Sequence, residues 1–285
     1  MQDPGDFVTD YGLSFESMAA LGWQTETVVW NDRSIYWDSY DAVYICTPWD
    51  YPDNPDLFMR VLQTIDASSA HLINPLSLVE WTLVKTYLRD LEERGASIVP
   101  SIWFDDFDAA QIPRWFKRLC TDKVVIKPDV GANAQDTYVL SNPVSEELAG
   151  HLVETFSERP FFVQPFMHNV QSEGEYSLFF FGGDYSHAIL KTPKRSDFRT
   201  QEEHGADIKS ITASSRLVET AQNVLALVDP EPVYVRADFV RDAADNFLLM
   251  ELELIEPSLY LRTDAGAADR FARAFDERFQ ILAGK

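Results

Sequence analysis

Apolar and polar positions alternate most regularly over 233–257, VYVRADFVRDAADNFLLMELELIEP, and a period of two predicts two strands joined by a polar turn. In the first, Val233, Val235, Ala237 and Phe239 share one face and leave Arg236 and Asp238 on the other. In the second, Leu248, Met250, Leu252 and Leu254 share a face, with Glu251 and Glu253 opposite. Folding both apolar faces into one core puts three carboxylates and a guanidinium on a common surface. Two readings fit that surface. It is the solvated side of an antiparallel sheet, or it is a set of like charges held together by a cation, because crowded carboxylates otherwise raise one another's pKa.

The rest of the pattern divides into three stretches, 1–80, 81–166 and 167–285. The first has an α/β rhythm: a helix over 14–22, strands over 25–30 and 41–46, a helix over 55–67 and a strand over 71–73. Its TPWDYP loop follows a strand, where open α/β sheets bind ligands, so Trp49, Asp50 and Tyr51 are candidate substrate contacts; a proline-stiffened turn with a packed tryptophan is the alternative. A first strand is missing from the start, which predicts either a sheet one strand short or a natural start upstream of Met1. The second stretch predicts a helix over 81–95 carrying Lys85, a strand 123–128 ending at Lys127, a small-residue loop 130–137, a strand 137–140, a helix 145–156 and an apolar strand 161–166 with Pro165 at an end or edge. In the third, Gly182-Gly183 between two strands predicts a hairpin. A polar loop (192–207), a helix (210–227) and the acidic hairpin follow. The closing helix over 267–282 has Phe271, Phe275 and Phe279 on one face.

Composition narrows the choice of partner. The 285 residues carry 46 acids against 24 bases, a net charge of −22. Such a surface repels nucleic acid and anionic membrane. No apolar run is long enough to span a bilayer and the first residues lack a signal-peptide pattern, so the expected location is the cytoplasm. Cys46 and Cys120 have no metal or disulfide spacing and read as small core residues. His187 and His204 lack a second histidine at ligand spacing and read as ordinary polar residues.

Against this acidity, the basic residues need a reason. In chain order come a strand ending Lys127-Pro128 before a small-residue loop, a strand ending Gln164-Pro165-Phe166, a basic loop, and the acidic hairpin. A polyphosphate needs cationic side chains or free N–H groups around its oxygens, and a hard cation such as Mg²⁺ takes oxygen ligands. With these elements in this order, the chain resembles the ATP-grasp superfamily and, within it, the glutathione-synthetase-like carboxylate–amine ligases. The resemblance covers about 70–265. It implies an α/β (α+β lobes) chain with an N-terminal pre-ATP-grasp domain (1–80) that binds substrate, a small ATP-grasp lid lobe (81–166) and a large lobe with the metal site (167–285).

By that resemblance Asp238, Glu251 and Glu253 hold one or two Mg²⁺ ions, and Arg236 stabilises the acyl phosphate and the tetrahedral intermediate. Lys85 and Lys127 hold the phosphates of ATP, Gln164, Phe166 and Met167 meet adenine, and Glu175 takes the ribose hydroxyls. Lys191, Arg195 and Arg199 resemble the loop that meets phosphate and acyl substrate, and Glu256 and Ser258 face the amine. The implied activity is ADP-forming amide synthesis through an acyl phosphate, from amino-acid-like carboxylate and amine substrates or within one molecule. The pattern is also similar to the ring-closing ligases of D-cycloserine biosynthesis, and a homodimer is expected. Two departures stand out. The lid, GANAQDT, has a single glycine, Gly131, which predicts fewer left-handed backbone positions. Glu253 stands where the family commonly has Asn, adding a negative charge. The glycine-poor lid motivates a competing reading, a nucleotide-binding module without ligase chemistry; a phosphotransferase to water or a hydroxyl is a third.

Overall fold

The computed structural model describes residues 5, 8–195 and 197–284; Met1, on which the expectation about the natural start falls, lies outside them. In the first stretch the described sheet is a parallel pair, β1 (Ala42–Tyr44) and β2 (His71–Ile73). The expected strand over 25–30 does not form. That segment pairs with no strand among the described residues; residues 25–27 are exposed and 28–30 half-buried. The helix Pro55–Asp66, capped by the Asn54 side chain on the Leu57 N–H, packs Phe58, Leu62 and Ile65 onto Ile45 and Leu72.

The second stretch carries a four-stranded antiparallel sheet: β3 (Ile102–Phe104), β4 (Lys123–Pro128), β5 (Tyr138–Ser141) and β6 (Phe161–Pro165), in spatial order β3-β6-β4-β5. Pro165 closes β6, where its missing N–H costs no ladder bond beyond the strand end. Trp115, Phe116, Leu152 and Phe156 of helices Ile112–Arg118 and Glu146–Phe156 cover one face.

The third stretch is a five-stranded antiparallel sheet: β7 (Glu175–Phe181), β8 (Asp184–Thr192), β9 (Asp207–Ile211), β10 (Tyr234–Arg241) and β11 (Phe247–Glu253), in the order β11-β10-β7-β8-β9. Gly182 and Gly183 both have positive φ (57° and 81°), the backbone a two-residue hairpin needs. One face is covered by Leu88, Leu91, Leu217 and Ala221, among others, from helices Tyr87–Glu93 and Ser215–Leu225. Thus the helices that open the second stretch pack on the five-stranded sheet, not on the four-stranded one. On the opposite face Phe179, Phe181, Ile189 and Tyr234 lie under the helix Ala267–Leu282 and its Phe271 and Phe275.

A buried polar junction ties the first stretch to this sheet. Asn74, fully buried, donates to the Tyr234 and Leu254 carbonyls (2.9 and 3.0 Å) and accepts from the Val233 N–H (2.6 Å). The Tyr234 hydroxyl sits among the Ile45, Ile73 and Ile255 carbonyls, 2.9 to 3.2 Å away.

Three expectations are corrected here. The helix over 81–95 is broken: Leu76–Leu83 ends at Val84, which is extended (ψ 124°), and Tyr87–Glu93 starts afresh, leaving Lys85 in the gap with its N–H on the Asp129 carbonyl (2.7 Å). The apolar alternation of β11 is interrupted by a bulge, since Asp238 pairs Glu251 while Phe239 pairs Leu249. Met250 is the extra residue; Leu249 takes the core place, and Leu248 and Met250 turn to a small cluster with Val99, Val170 and Val240. Finally, Cys120 is exposed in a left-handed turn after Arg118 and Cys46 is half-buried, so neither is a core thiol. Among the described residues no helix is long and apolar enough to cross a membrane.

Candidate active site

The sheet face that carries Phe179, Phe181 and Tyr234 under a helix continues beyond that helix as a polar floor. Strand register builds it directly: Arg236 lies across from Glu253, Asp238 across from both Glu251 and Ser177, and Glu175 across from Lys191. The four-stranded sheet and the loop after β4 form the opposite wall, and a cleft lies between them. Lys85, Lys127, Gln164, Phe166, Met167, Glu175, Lys191, Arg199, Arg236, Asp238, Glu251, Glu253, Glu256, Ser258, Trp49 and Tyr51 all line it. The early and late parts of the chain thus meet in one cavity.

Two expected contacts do not. Arg195 is exposed and outside the lining, because the polar loop turns it outward. Asp50 is also outside; its carboxylate accepts from the Trp30 indole N–H (2.8 Å), which makes it part of the loop's own packing.

Charges on the floor are extensively paired. Lys85 bonds Glu251; Arg236 bonds Glu253 and forks onto Asp238 (2.9–3.1 Å); Lys191 bonds Glu175 and reaches Asp238 at 3.4 Å. Asp238 also accepts from Ser177 (2.5 Å). Burial pushes the Asp238 carboxyl up, but Arg236 and Lys191 outweigh it and hold it below the usual range. Burial likewise works against the Lys191 cation, and Asp238 and Glu175 overcome it, raising its pKa. Glu253 goes the other way. Burial, reinforced by Glu251 and Asp238 and only partly offset by Arg236, lifts it to about 7.

Glu251 and Lys127 differ from one another in the same way. Burial pushes Glu251 up, but Lys85 brings its pKa below the ordinary value. Lys127 has no ion-pair partner among the described residues; burial lowers its pKa, and its amine lies 5.9 Å from the Phe162 ring centroid. At the far end Glu256 is 8% exposed and likewise has no ion pair among the described residues. Burial, then Glu253, raises its pKa well above normal, and the Trp49 indole N–H donates to its main-chain carbonyl (3.0 Å). The Tyr51 ring stacks on Phe58 (4.7 Å), and burial followed by the Glu256 charge pushes its hydroxyl up.

Several expected nucleotide contacts already have protein partners. Gln164 donates to Ser101 (3.0 Å), and Glu175 accepts from Thr200 (2.8 Å) as well as pairing with Lys191. Arg199 forks onto Asp197 at 2.8–3.2 Å. The Phe166 ring lies 3.7 Å below the Lys123 amine.

No three His, Cys, Asp or Glu side chains of the described residues stand grouped to hold a metal ion, since each floor acid faces a base. The donor set nevertheless fits a hard cation. Asp238, Glu251 and Glu253 offer only oxygens from facing positions on one sheet face, and the Glu251 and Asp238 charges that add to burial in raising Glu253 are crowding that a cation relieves.

The loop over 130–137 overturns the expectation drawn from its composition. Asn133, Ala134 and Asp136 adopt left-handed φ (52–55°) without being glycine, and Gly131 does not. A Cβ at Gly131 would come 3.1 Å from the Pro128 ring, so its glycine serves close approach to β4. Arg159 holds the loop down through Asp136 (2.5 Å) and the Val130 carbonyl (2.8 Å).

Other lining residues were not marked by sequence. Tyr260 is 5% exposed with φ 45°, and burial raises its hydroxyl's pKa, partly offset by Lys191 and Arg236. Met250 enters through the bulge. Gln201 presents a buried Oε1 without a partner among the described residues. A tyrosine inside an apolar run reads as core, and nothing local distinguishes it.

Comparisons with known proteins show what the chain as a whole is similar to. Residues 1–74 match the family model of the D-cycloserine synthetase DcsG N-terminal domain. The chain is 29% identical over 287 aligned positions to the cycloserine biosynthesis protein DcsG of Streptomyces lavendulae, covering 95% of each. It superposes on the crystal structure of D-cycloserine synthetase DcsG with a TM-score of 0.85 at 28% identity, covering 93% of each chain. The ATP-grasp ligase PsnB, in a complex with Mg and ADP, shares the fold alone (TM-score 0.65, 15% identity, 93% and 94% covered). So does D-alanine–D-alanine ligase of Bacillus anthracis (0.53, 14%, 70% and 68%).

Proposed function

We infer, from the premise that this chain is an ATP-grasp enzyme of the carboxylate–amine ligase kind and similar to D-cycloserine synthetase, that it closes an amide ring within one amino-acid-like substrate at the expense of ATP. The observation that carries the reading is the cleft's charge pattern: a saturated floor and, among the described residues, a half-buried lysine without an ion-pair partner on the wall and a buried glutamate without one at the far end.

Lys127 and Lys85 take the phosphates. Lys127 gains by this, because a half-buried cation without an ion pair among the described residues is partly desolvated and a phosphate oxygen relieves it. Gln164, Phe166, Met167 and Met250 surround the base, and Glu175 faces the ribose. Mg²⁺, one ion or two, held by Asp238, Glu251 and Glu253, would neutralise charge on the phosphates. Glu256 holds the substrate ammonium between Trp49 and Tyr51, with Ser258 beside it. The lid over the cleft is the part built on the four-stranded sheet, the first 80 residues supply the substrate end and the five-stranded sheet the floor.

The substrate carboxylate takes the γ-phosphoryl group, and ADP is the leaving group. Arg236 and Lys191 lie where negative charge builds on the acyl phosphate, with Arg199 at the mouth, so their donors are in place before reaction. The substrate's amine nitrogen then attacks the acyl carbon. The carbon–oxygen bond to phosphate breaks, phosphate departs, and the nitrogen loses its proton. The protein orients the ends of the molecule and excludes water.

The test is incubation with Mg·ATP and a panel of amino acids bearing a second nucleophilic nitrogen, following ADP and product mass. A product lighter than its substrate by one water, formed without a second amine, supports ring closure. Amide formation only when a separate amine is added excludes it, and ADP release absent with every member refutes the assignment for that substrate class.

A further inference from the structure

We propose that Arg262, which lies outside the cleft lining, is a positioning residue that latches the cleft's mouth; what the latch protects rests on the ligase reading above. Three separate segments reach that mouth: Val8 near the start, residues 200–203 of the polar loop, and Tyr260 after the acidic hairpin. Arg262 touches all three neighbourhoods. One guanidinium nitrogen donates to Glu202, another reaches the Asp10 carboxylate at 3.5 Å, and the Arg262 N–H donates to the same oxygen at 3.3 Å. The guanidinium carbon lies 4.8 Å from the Tyr260 ring centroid.

An isolated surface ion pair contributes little. This one differs because Asp10 is buried, with a carboxyl that burial pushes up and the Arg262 contacts pull back. A planar fork can serve two acids and lie on a ring at once, whereas a lysine ammonium serves one direction at a time.

Two lines run from Arg262 to the reacting end of the cleft. Through Tyr260 it braces a ring that lines the same cleft as Lys191 and Arg236, on a backbone held left-handed by the Thr263 N–H and hydroxyl on the Tyr260 carbonyl (2.9 and 2.8 Å). Through Glu202 it pins the loop whose Thr200 donates to Glu175, the partner of Lys191. Releasing Arg262 frees the loop and the ring together and lets water in. Water then takes the place of the amine: its oxygen bonds the acyl carbon, the carbon–oxygen bond to phosphate breaks, and carboxylate, phosphate and a proton result without an amide.

The test uses the full chain in three forms: wild type, Arg262→Gln and Arg262→Lys. Amide hydrogen exchange over 197–206 is expected to quicken about fivefold or more in Arg262→Gln, the scale of one lost ion pair, and to be partly restored in Arg262→Lys. Release of Mg-bound N-methylanthraniloyl-ADP should quicken in the same order. Unchanged exchange over 197–206, or faster exchange spread evenly over the molecule, overturns the latch. If no form binds the fluorescent ADP, the nucleotide assignment fails, and the exchange result alone still decides the latch.

Discussion

The five-stranded floor and the four-stranded wall face each other across one cleft, yet they treat charge in opposite ways. On the floor, acids and bases come from facing register positions and neutralise one another before any ligand arrives. The wall offers a half-buried cation, Lys127, without such a partner among the described residues, and beside it a loop whose backbone takes left-handed turns on ordinary side chains. The floor is organised in advance and must exchange partners to work. The wall is left unsatisfied and gains when an anion comes. A ligand that bridges the two satisfies the wall while loosening pairs on the floor.

The sharpest way to break that contrast is at Glu251. Glu251→Gln keeps the size but removes a charge from the floor, and turnover is expected to fall about 1000-fold, read as ADP release. Because Lys85 then loses its counter-ion, the melting temperature should fall as well; a surface acid would leave it unmoved. Activity within tenfold of wild type would take Glu251 out of the site.

His187 tests the floor's support. It is buried, stacked on Phe179 at 4.3 Å, and its neutral ring donates from Nε2 to the Leu259 carbonyl (3.1 Å), which fixes the turn bearing Ser258 and Tyr260. Burial lowers its pKa from 6.5 to about 4. The unfolded chain therefore binds the proton more readily, so this stability is complete above pH 6.5 and lost as pH falls toward 4, by about 3 kcal/mol. Denaturant midpoints across that window should show a slope that His187→Gln reduces.

On the wall, Lys127→Ala should weaken ATP binding by about 30-fold, the worth of one charge-assisted hydrogen bond, seen as loss of ATP-dependent thermal stabilisation. Stability without nucleotide should hold or rise, because a partly desolvated cation without an ion pair among the described residues has gone. The smallest effect belongs to Ala134→Gly. Relief of a left-handed alanine is expected to add about 1 kcal/mol, or about 2 °C in Tm. No gain would mean that the Ala134 side chain makes up for its backbone.

Much of the floor was legible from the sequence because strand alternation is a local rule. Arg236, Asp238, Glu251 and Glu253 share a face in any regular hairpin, and register did the rest. What broke the rule was invisible locally. Met250 is displaced by a bulge that only the pairing with β10 and the contact of Leu249 with the Ser97–Val99 backbone reveal. Lys85 sits in a helix break that no glycine or proline marks; tertiary bonding to Asp129 sets it. The short strand β3 carries only three residues and β9 a mostly exposed face, so neither shows a readable period. In the lid, glycine count was a poor guide to backbone shape, since Asn133 and Asp136 supply side chains that tolerate the left-handed region.

Asn74 has a mechanical consequence. With no exposed surface, it joins the end of β2 to the starts of β10 and of the segment after β11, and Tyr234 adds three carbonyls to the same knot. Prising the first stretch off the floor would strand several buried donors and acceptors, at about 1–3 kcal/mol each. The amino-terminal stretch and the floor are therefore fastened as one piece.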